Sequence, residues 1–305
     1  MSLLLPPSGR RLYSFKSGSD GYFPWGTLTF DAKGNLYGAT QFGGGKGNSC
    51  NEFYGGNCGT VFELSPPKQK GGQWTEMVLY SYASGTDGAN PNGGLVLDRK
   101  GAIYGTTYGG GNENGECGAA GCGTVFKLAR TRGKNGLWNE TILHRFKGLD
   151  GGEPAAGLVF HGANTLYGTT KGGGGGNYPS GTVFKVAHNP NRSWTEKVLY
   201  TFQHGDDGAF PLANVIFDAR GNLFGVASEG GKNLAGTLFR MKPPTGRTSD
   251  WGFSILYSFN RGQDAGAPSA SLVPDKAFNL YSTTPVGGTG ICGNGGCGTV
   301  FTVSP

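Results

Sequence analysis

The chain has 305 residues, a net charge of +6 and 60 glycines, which are about a fifth of the sequence. Glycine this frequent without a collagen period would be typical of disorder, but apolar residues recur at fixed places between the glycine clusters and can form a core. No apolar run approaches the ~18 residues that a membrane-spanning helix needs. The cations lie mainly in loops, and no stripe of basic and aromatic residues indicates a nucleic-acid partner.

Four short phrases follow one another in the first part of the chain, at Thr27–Asp31, Leu36–Thr40, Gly59–Leu64 and Val78–Tyr82. Each is rich in β-branched and aromatic residues and is bounded by Gly, Pro, Asn or Asp, so each is predicted to be a β-strand. Several of these strands have apolar residues at successive positions. That pattern favours strands that are covered on both faces.

The same four phrases recur along the whole chain, and an Asp-x-x-x-Pro motif opens every copy. The copies span about 20–82, 87–146, 150–202, 207–259 and 264–303. Five copies of a unit of roughly 60 residues with four strands each are typical of a propeller. We therefore predict an all-β fold, a single five-bladed β-propeller domain over residues 1–305 with four antiparallel strands per blade.

The last copy ends with its third strand, Gly298–Val303, and has no fourth strand after it. A matching phrase stands at the opposite end of the chain, at Arg11–Phe15. Because a sheet protein must pair or cover its strand edges, we expect this N-terminal strand to complete the last blade and close the ring.

All six cysteines lie in the Gly-rich loops between second and third strands, as the pairs Cys50/Cys58, Cys117/Cys122 and Cys292/Cys297. Pairwise presence within one loop favours local disulfides and an oxidising compartment. Metal binding is the alternative, but zinc sites usually need four ligands and histidine is scarce. We therefore expect three disulfides, no metal and no cofactor.

In a four-stranded blade, the loop after the second strand lies on the same face as the link from the fourth strand to the next blade. We call this the upper face and expect ligands there, at the mouth of the central channel. Residues that differ between copies are the candidates for ligand binding: Trp25, Gln41, Asn92, Tyr108 and Lys171. Exposed aromatic rings beside amides suit carbohydrate. The alternative is that Trp25 and Tyr108 only pack against the loop glycines.

The five aspartates of the Asp-x-x-x-Pro links could form a ring of carboxylates, but their presence in every blade favours a structural role in turns. Carboxylates outside that repeated set are the only catalytic candidates, namely Glu153, Asp206 and Glu229. A glycosidase needs two carboxylates in distinct environments. No nucleophile elbow, zinc-protease motif or phosphate loop occurs in the sequence.

The phrases Gly-Leu-Val-x-Asp, Leu-Tyr-Gly-Thr-Thr, Gly-Thr-Val-Phe-Lys-Leu and Val-Leu-Tyr-Ser-Phe resemble the GloVer-type tandem repeat of bacterial extracellular proteins. The resemblance covers about Leu12 to Val303. It implies a secreted or cell-surface protein, and it implies no catalytic residue set. Met1–Leu5 is too short for a signal peptide, so we expect export to depend on a signal that this sequence does not include.

These observations favour an extracellular, non-catalytic binding or adhesion module for a glycan or another cell-surface polymer. One alternative is a polysaccharide hydrolase or lyase with its site at the mouth of the channel, and another is a structural surface or filament subunit. The sequence indicates no nucleic-acid partner and no membrane span, and it gives no sign of the oligomeric state.

Overall fold

The computed structural model describes residues 11–45, 58–111, 117–131, 136–175, 179–246, 249–290, 292 and 296–305. It shows five small antiparallel sheets arranged as the blades of a β-propeller, which confirms the predicted fold class. The described residues contain no α-helix, and no helix among them could span a membrane.

The strands of the first three blades follow the order of the predicted phrases. Blade one contains β1 (Tyr22–Phe30), β2 (Leu36–Phe42), β3 (Thr60–Ser65) and β4 (Thr75–Ser81). Blade two contains β5 (Gly88–Pro91), β6 (Val96–Leu97), β7 (Ile103–Gly110), β8 (Thr124–Arg130) and β9 (Trp138–Arg145). Blade three contains β10 (Val159–Phe160), β11 (Thr165–Thr170), β12 (Thr182–His188) and β13 (Trp194–Thr201).

The last two blades continue the same order, although the described part of blade five has no outer strand. Blade four contains β14 (Ile216–Phe217), β15 (Leu223–Ala227), β16 (Thr237–Lys242) and β17 (Gly252–Ser258). Blade five contains β18 (Ala265–Gly266), β19 (Val273–Pro274), β20 (Leu280–Thr284), β21 (Val286–Gly287) and β22 (Thr299–Val303). Its main sheet has the order β19-β20-β22.

A glycine in the second strand makes room for a phenylalanine of the third strand in four of the blades. Gly38 lies opposite Phe62 in the β2–β3 ladder, and a Cβ on Gly38 would stand 2.5 Å from the Phe62 ring. Gly105 and Phe126 repeat the arrangement in blade two at 2.6 Å. The Gly of Leu-Tyr-Gly-Thr-Thr therefore serves close packing within the blade.

The innermost strands are shorter than predicted, because only two residues of β6, β10, β14 and β19 pair with the second strand. The residues just before them bond to neighbouring blades instead. The Thr106 hydroxyl of blade two donates to the Ala156 carbonyl at 2.9 Å, and the Gly157 N–H of blade three donates to the Asn214 side chain at 2.7 Å. The inner edge of the ring is thus held together by bonds between blades.

Aromatic side chains join each blade to the next one. The residue after each fourth strand packs edge-on against the third-strand phenylalanine of the following blade, with ring centroids about 5 Å apart. The pairs are Tyr82–Phe126, Phe146–Phe184, Phe202–Phe239 and Phe259–Phe301. All of these rings except Phe301 are almost fully buried. The hydrophobic core therefore lies between blades and runs from one interface to the next.

Closure of the ring by an N-terminal strand is not confirmed. Residues 11–16 form no strand, and β22 pairs only with β20 among the described residues. Phe15 nevertheless packs edge-on against Phe62 at 5.0 Å, as the aromatic pairs do at the other interfaces. The predicted closing segment thus contacts blade one, while its pairing with the last blade stays a prediction.

Candidate functional site

The links between blades and the loops after the second strands lie on one face, as expected for the upper face. In every blade the link pairs with the start of that loop, as in Gly88↔Gly110, Gly152↔Gly172 and Ala209↔Glu229. Any residue of a link is therefore placed beside the upper loop of the same blade.

The link aspartates fasten each link to the strand before it. Asp87 accepts hydrogen bonds from the Ala83 N–H at 2.8 Å and from the Tyr80 hydroxyl at 3.1 Å. Asp207 accepts from the Gln203 N–H and the Tyr200 hydroxyl in the same way. Because these carboxylates accept hydrogen bonds from the preceding strand and the residues after it, the aspartates have a structural role, although they bond backwards to the strand and not forwards to the proline.

The residue before each link proline has a left-handed backbone, which is unusual for residues other than glycine. These residues are Phe23, Asn90, Glu153, Phe210 and Ala267, with φ between 53° and 56°. A hydrogen bond to the preceding blade holds the conformation in place, as when the Glu153 N–H donates to the Cys122 carbonyl at 2.9 Å. Of these five residues, only Glu153 was among the candidates predicted from the sequence. A signal was available in the sequence, because the side chain at this position varies between copies, although phenylalanine occurs in two of them.

A cavity of about 540 Å³ opens on the upper face, and we call it the upper cavity. Links and loops of blades two, three and four form its wall. It is lined by Cys117, Gly148, Gly152, Glu153, Lys171, Gly172, Gly173, Gly175, Pro179, Phe210, Leu212, Ser228 and Glu229. Charged groups thus lie beside an apolar wall formed by Phe210 and Leu212, which are separated by one residue in the chain.

Three polar side chains from two neighbouring blades meet at this cavity and form the Glu153 cluster: Tyr108, Glu153 and Lys171. The Tyr108 hydroxyl donates to Glu153 Oε2 at 2.6 Å. Lys171 Nζ lies 3.3 Å from the same oxygen and 3.1 Å from the Tyr108 hydroxyl. The cluster fixes an ammonium group, a carboxylate and a phenol in one place, and all three side chains are partly buried.

The cluster changes the acidity of two of its members. Burial and the hydrogen bond to Glu153 raise the pKa of the Tyr108 phenol above its ordinary value. The hydrogen bond to Tyr108 and the charge of Glu153 raise the pKa of Lys171, although burial acts in the opposite direction. Tyr108 and Lys171 therefore keep their protons at neutral pH: Tyr108 donates its proton to Glu153, and Lys171 stays a cation with further N–H groups for a ligand.

The sequence candidates divide into two groups. The structure brings Tyr108, Lys171 and Glu153 together, and Glu229 lines the same cavity. Asp206 is exposed and is not part of the cavity wall. The remaining candidates, Trp25, Gln41 and Asn92, lie in blade one and at the entry to blade two, outside the wall of this cavity.

The blade-one candidates differ in their surroundings. The Trp25 ring is exposed on β1, with 58% of its surface accessible. The Gln41 carbonyl accepts a hydrogen bond from the Asn90 side chain at 3.0 Å. The Asn92 side-chain oxygen is buried and has no hydrogen-bond partner among the described residues.

Two of the expected disulfides are present, Cys117–Cys122 and Cys292–Cys297, and they indicate an oxidising environment. Cys58 is also disulfide-bonded, but Cys50 lies outside the described residues. Cys117 belongs to the wall of the upper cavity, and its sulfur would contact a Cβ placed on Gly152 at 3.1 Å. This disulfide therefore closes a loop of blade two, and the Glu153 N–H of the link that enters blade three donates to the Cys122 carbonyl of that loop.

One group of metal-ligand type occurs among the described residues, away from the upper cavity. Donor atoms of His144, Asp150 and Glu196 lie within 4.8 Å of one another at the contact between β9 and β13. His144 bonds to Asp150 at 2.9 Å, as Tyr80 bonds to Asp87 one interface earlier. The same pattern thus recurs with a tyrosine, which identifies the His144–Asp150 pair as part of the interface between blades.

The family model of the Gloeobacter/Verrucomicrobia repeat matches residues 115–305. A search of curated proteins gives no match.

Among solved structures, the chain is similar to an α-L-arabinofuranosidase from Lactobacillus brevis, with 11% identity, a TM-score of 0.46, and coverage of 94% of this chain and 90% of that one. It is also similar to a GH43 endo-arabinanase from Bacillus licheniformis, with 12% identity, a TM-score of 0.40, and coverage of 95% and 96%. A putative gluconolactonase matches with 16% identity and a TM-score of 0.42, over 84% of this chain and 70% of that one.

Proposed function

The chain belongs to the Gloeobacter/Verrucomicrobia repeat family, and we propose that it is an extracellular, non-catalytic module that binds carbohydrate in the upper cavity. The observation that carries the proposal is the Glu153 cluster, which stands in one cavity with the apolar wall of Phe210 and Leu212. A sugar ring has apolar faces and hydroxyls along its edges. A site for it therefore needs apolar side chains beside fixed donors and acceptors.

Each part of the cavity has a function in this proposal. Phe210 and Leu212 contact the face of a sugar ring, because both line the cavity and neither is fully buried. Lys171 donates to sugar hydroxyls, while Glu153 and Glu229 accept from them, and Tyr108 holds the Glu153 carboxylate in position. Fixed geometry lowers the entropy cost of binding, because the cluster is already formed before the ligand arrives.

The geometry favours binding over hydrolysis. Glu153 and Glu229 are the only carboxylates in the wall of the cavity among the described residues. Glu153 Oε2 already accepts from both Tyr108 and Lys171, so it is held as a hydrogen-bond acceptor in a network. A hydrolase also needs an acid that is free to protonate the leaving group, and Glu153 is not arranged for that task.

Trp25, Gln41 and Asn92 remain proposed contacts for a longer saccharide that extends from the cavity towards blade one. The exposed Trp25 ring supplies a stacking surface, and Asn92 is partly exposed nearby in the sequence repeat at the entry to blade two. A secreted or cell-surface location fits the disulfides, which persist in oxidising compartments.

A glycan array followed by titration calorimetry tests the proposal. We expect wild-type protein to bind at least one neutral saccharide, and Glu153→Gln and Tyr108→Phe to weaken that binding by about tenfold or more. Asp206→Asn is the matched control, since Asp206 is exposed and lies outside the cavity, and its affinity should be unchanged. Absence of any glycan signal in wild type, or an equal loss in the Asp206 control, would contradict the proposal.

A further inference from the structure

A second cavity lies on the lower face, which carries the turns between first and second strands. It has a volume of about 430 Å³ and stands between blades four and five. It is lined by Asp218, Ala219, Arg220, Asn222, Phe224, Arg240, Lys276, Ala277, Phe278 and Pro305. We call it the lower cavity. It shares no residue with the upper cavity.

Positive side chains outnumber negative ones in the wall of the lower cavity. Arg220, Arg240 and Lys276 line it, and none of them forms an ion pair among the described residues. Asp218 is the only acidic side chain in the wall, and its oxygens accept three hydrogen bonds from its own turn, from the Arg220 and Asn222 N–H groups and the Asn222 side chain. Three cations around one space favour an anionic ligand.

Arg240 differs from its counterparts in other blades. Its Nε atom is buried and has no hydrogen-bond partner among the described residues. At the same strand position, Glu63 pairs with Arg130 at 3.2 Å, and Lys127 lies over the Tyr104 ring at 5.2 Å. This strand position is thus partnered within the protein in blades one and two, whereas Arg240 lines the lower cavity and forms no ion pair among the described residues.

Phe278 breaks the pattern of the lower-face turns. It has a φ of 65°, in the left-handed region, where the matching turn residues of blades one, two and four are Gly34, Gly101 and Gly221. Phenylalanine in this conformation is strained, and strain of this kind clusters at functional sites. Phe278 is partly buried, packs against Phe224 with ring centroids 5.2 Å apart, and lines the lower cavity.

We propose that the lower cavity binds an anionic sugar, with its carboxylate or phosphate on Arg240, Arg220 and Lys276 and its ring against Phe278. An arginine guanidinium matches both anions through paired N–H groups, and an aromatic side chain matches the apolar face of a sugar ring. The inference extends the proposed function, because it assigns a second ligand class to the opposite face and uses none of the Glu153 cluster.

Titration calorimetry with galacturonate, glucose 6-phosphate, galactose and inorganic phosphate tests the proposal and separates the two sources of negative charge. We expect at least one of the two anionic sugars to bind more tightly than both galactose and inorganic phosphate. Its affinity should fall as sodium chloride is added, because the attraction is electrostatic. Binding of inorganic phosphate as tightly as the anionic sugars, or tight binding of galactose that Arg240→Gln weakens equally, would overturn the proposal.

Matched variants locate the binding. Arg240→Gln should weaken binding of the anionic sugar by about tenfold, and Arg220→Gln, an exposed change that the fold tolerates, should weaken it in the same direction. Lys185→Gln, which removes a cation at the equivalent position in blade three, should change nothing, and neither should Glu153→Gln in the upper cavity. Equal losses in Lys185→Gln and Arg240→Gln would overturn the proposal, because the binding would then follow net charge alone.

Discussion

The interface between blades one and two and the interface between blades five and one use the same repeat positions but differ in burial. Val61 and Leu95 meet in the first of these interfaces and are 0% and 2% exposed. Their counterparts at the other interface, Val300 and Leu28, are 78% and 52% exposed. Equivalent repeat positions are therefore buried between blades one and two, which we call the sealed interface, and exposed between blades five and one, which we call the open interface.

The N-terminal segment makes some of the contacts expected at the open interface. The Tyr13 hydroxyl donates to Asp20 at 2.9 Å, as Tyr80 does to Asp87, and Phe15 packs on Phe62. These contacts link residues that are near in sequence or belong to the adjacent blade. Pairing with β22 would join residues almost a whole chain apart, which carries the largest loop-closure cost. Local contacts therefore form independently of ring closure.

Removing the N-terminal segment should have the largest effect on the stability of the open interface. Deletion of residues 1–16 removes the Phe15–Phe62 contact and the predicted closing strand, so we expect the melting temperature to fall by at least about 5 °C or the protein to aggregate. Leu12→Pro should act in the same direction, because it prevents a strand hydrogen bond. Deletion of residues 1–8 is the control and should change little. If the deletion of residues 1–16 and Leu12→Pro had the same melting temperature as the deletion of residues 1–8, the N-terminal segment would have no closing role.

A pair of leucine substitutions measures whether the open interface seals in solution. Large exposed apolar side chains on both sides favour closure, because their burial removes apolar surface from water. We expect Leu28→Ala to lower the free energy of unfolding by about 2–4 kcal/mol, as much as Leu95→Ala in the sealed interface. Denaturant titration gives both values. A cost below about 1 kcal/mol for Leu28→Ala alone would show that the interface stays open.

Glutamates on the outer strands offer a smaller, pH-dependent comparison. Burial raises the pKa of Glu140, beside Asp87 in the sealed interface, from 4.5 to about 8, and it raises the pKa of Glu76, beside Asp20, to about 7. The folded state then binds more protons than the unfolded state between these values, so stability falls as pH rises from about 4.5 towards 8.

The glutamine variants test that slope. Thermal unfolding followed from pH 5 to pH 8.5 should show a decline in wild type that Glu140→Gln reduces, and Glu76→Gln should reduce it less and over a narrower range. Glu229→Gln, an exposed change on the upper face, should leave the slope unchanged. If Glu140→Gln left the decline of stability with pH unchanged, the Glu140 carboxyl would not be its cause.

Much of the fold could be predicted because the same strand phrases recur in the sequence of every blade. The Gly of Leu-Tyr-Gly-Thr-Thr is required opposite the third-strand phenylalanine, as at Gly38 and Phe62, so the phrase predicts a strand pair wherever it occurs. The lengths of the inner strands could not be predicted, because bonds such as that from Thr106 to Ala156 come from the neighbouring blade.

The site was predictable in part for the same reason. Tyr108 and Lys171 occupy equivalent positions in adjacent blades, so the repeat places them near each other. Glu153 completes the cluster only because its backbone is held in the left-handed region by Cys122 of the preceding blade. A contact between residues 45 positions apart, such as Tyr108 to Glu153, depends on how two blades pack and has no signature in either phrase.

The central claim is that the upper cavity, formed by blades two to four, binds carbohydrate. Hydrogen–deuterium exchange, measured with and without the short saccharide that binds most tightly on the array, tests this claim. The account predicts slower exchange at the amides of residues 151–153 and 171–174, which surround the upper cavity, and no change at residues 22–25 and 40–43 beside the open interface. Slower exchange only in the blade-one segments, or in none of these segments, would contradict it.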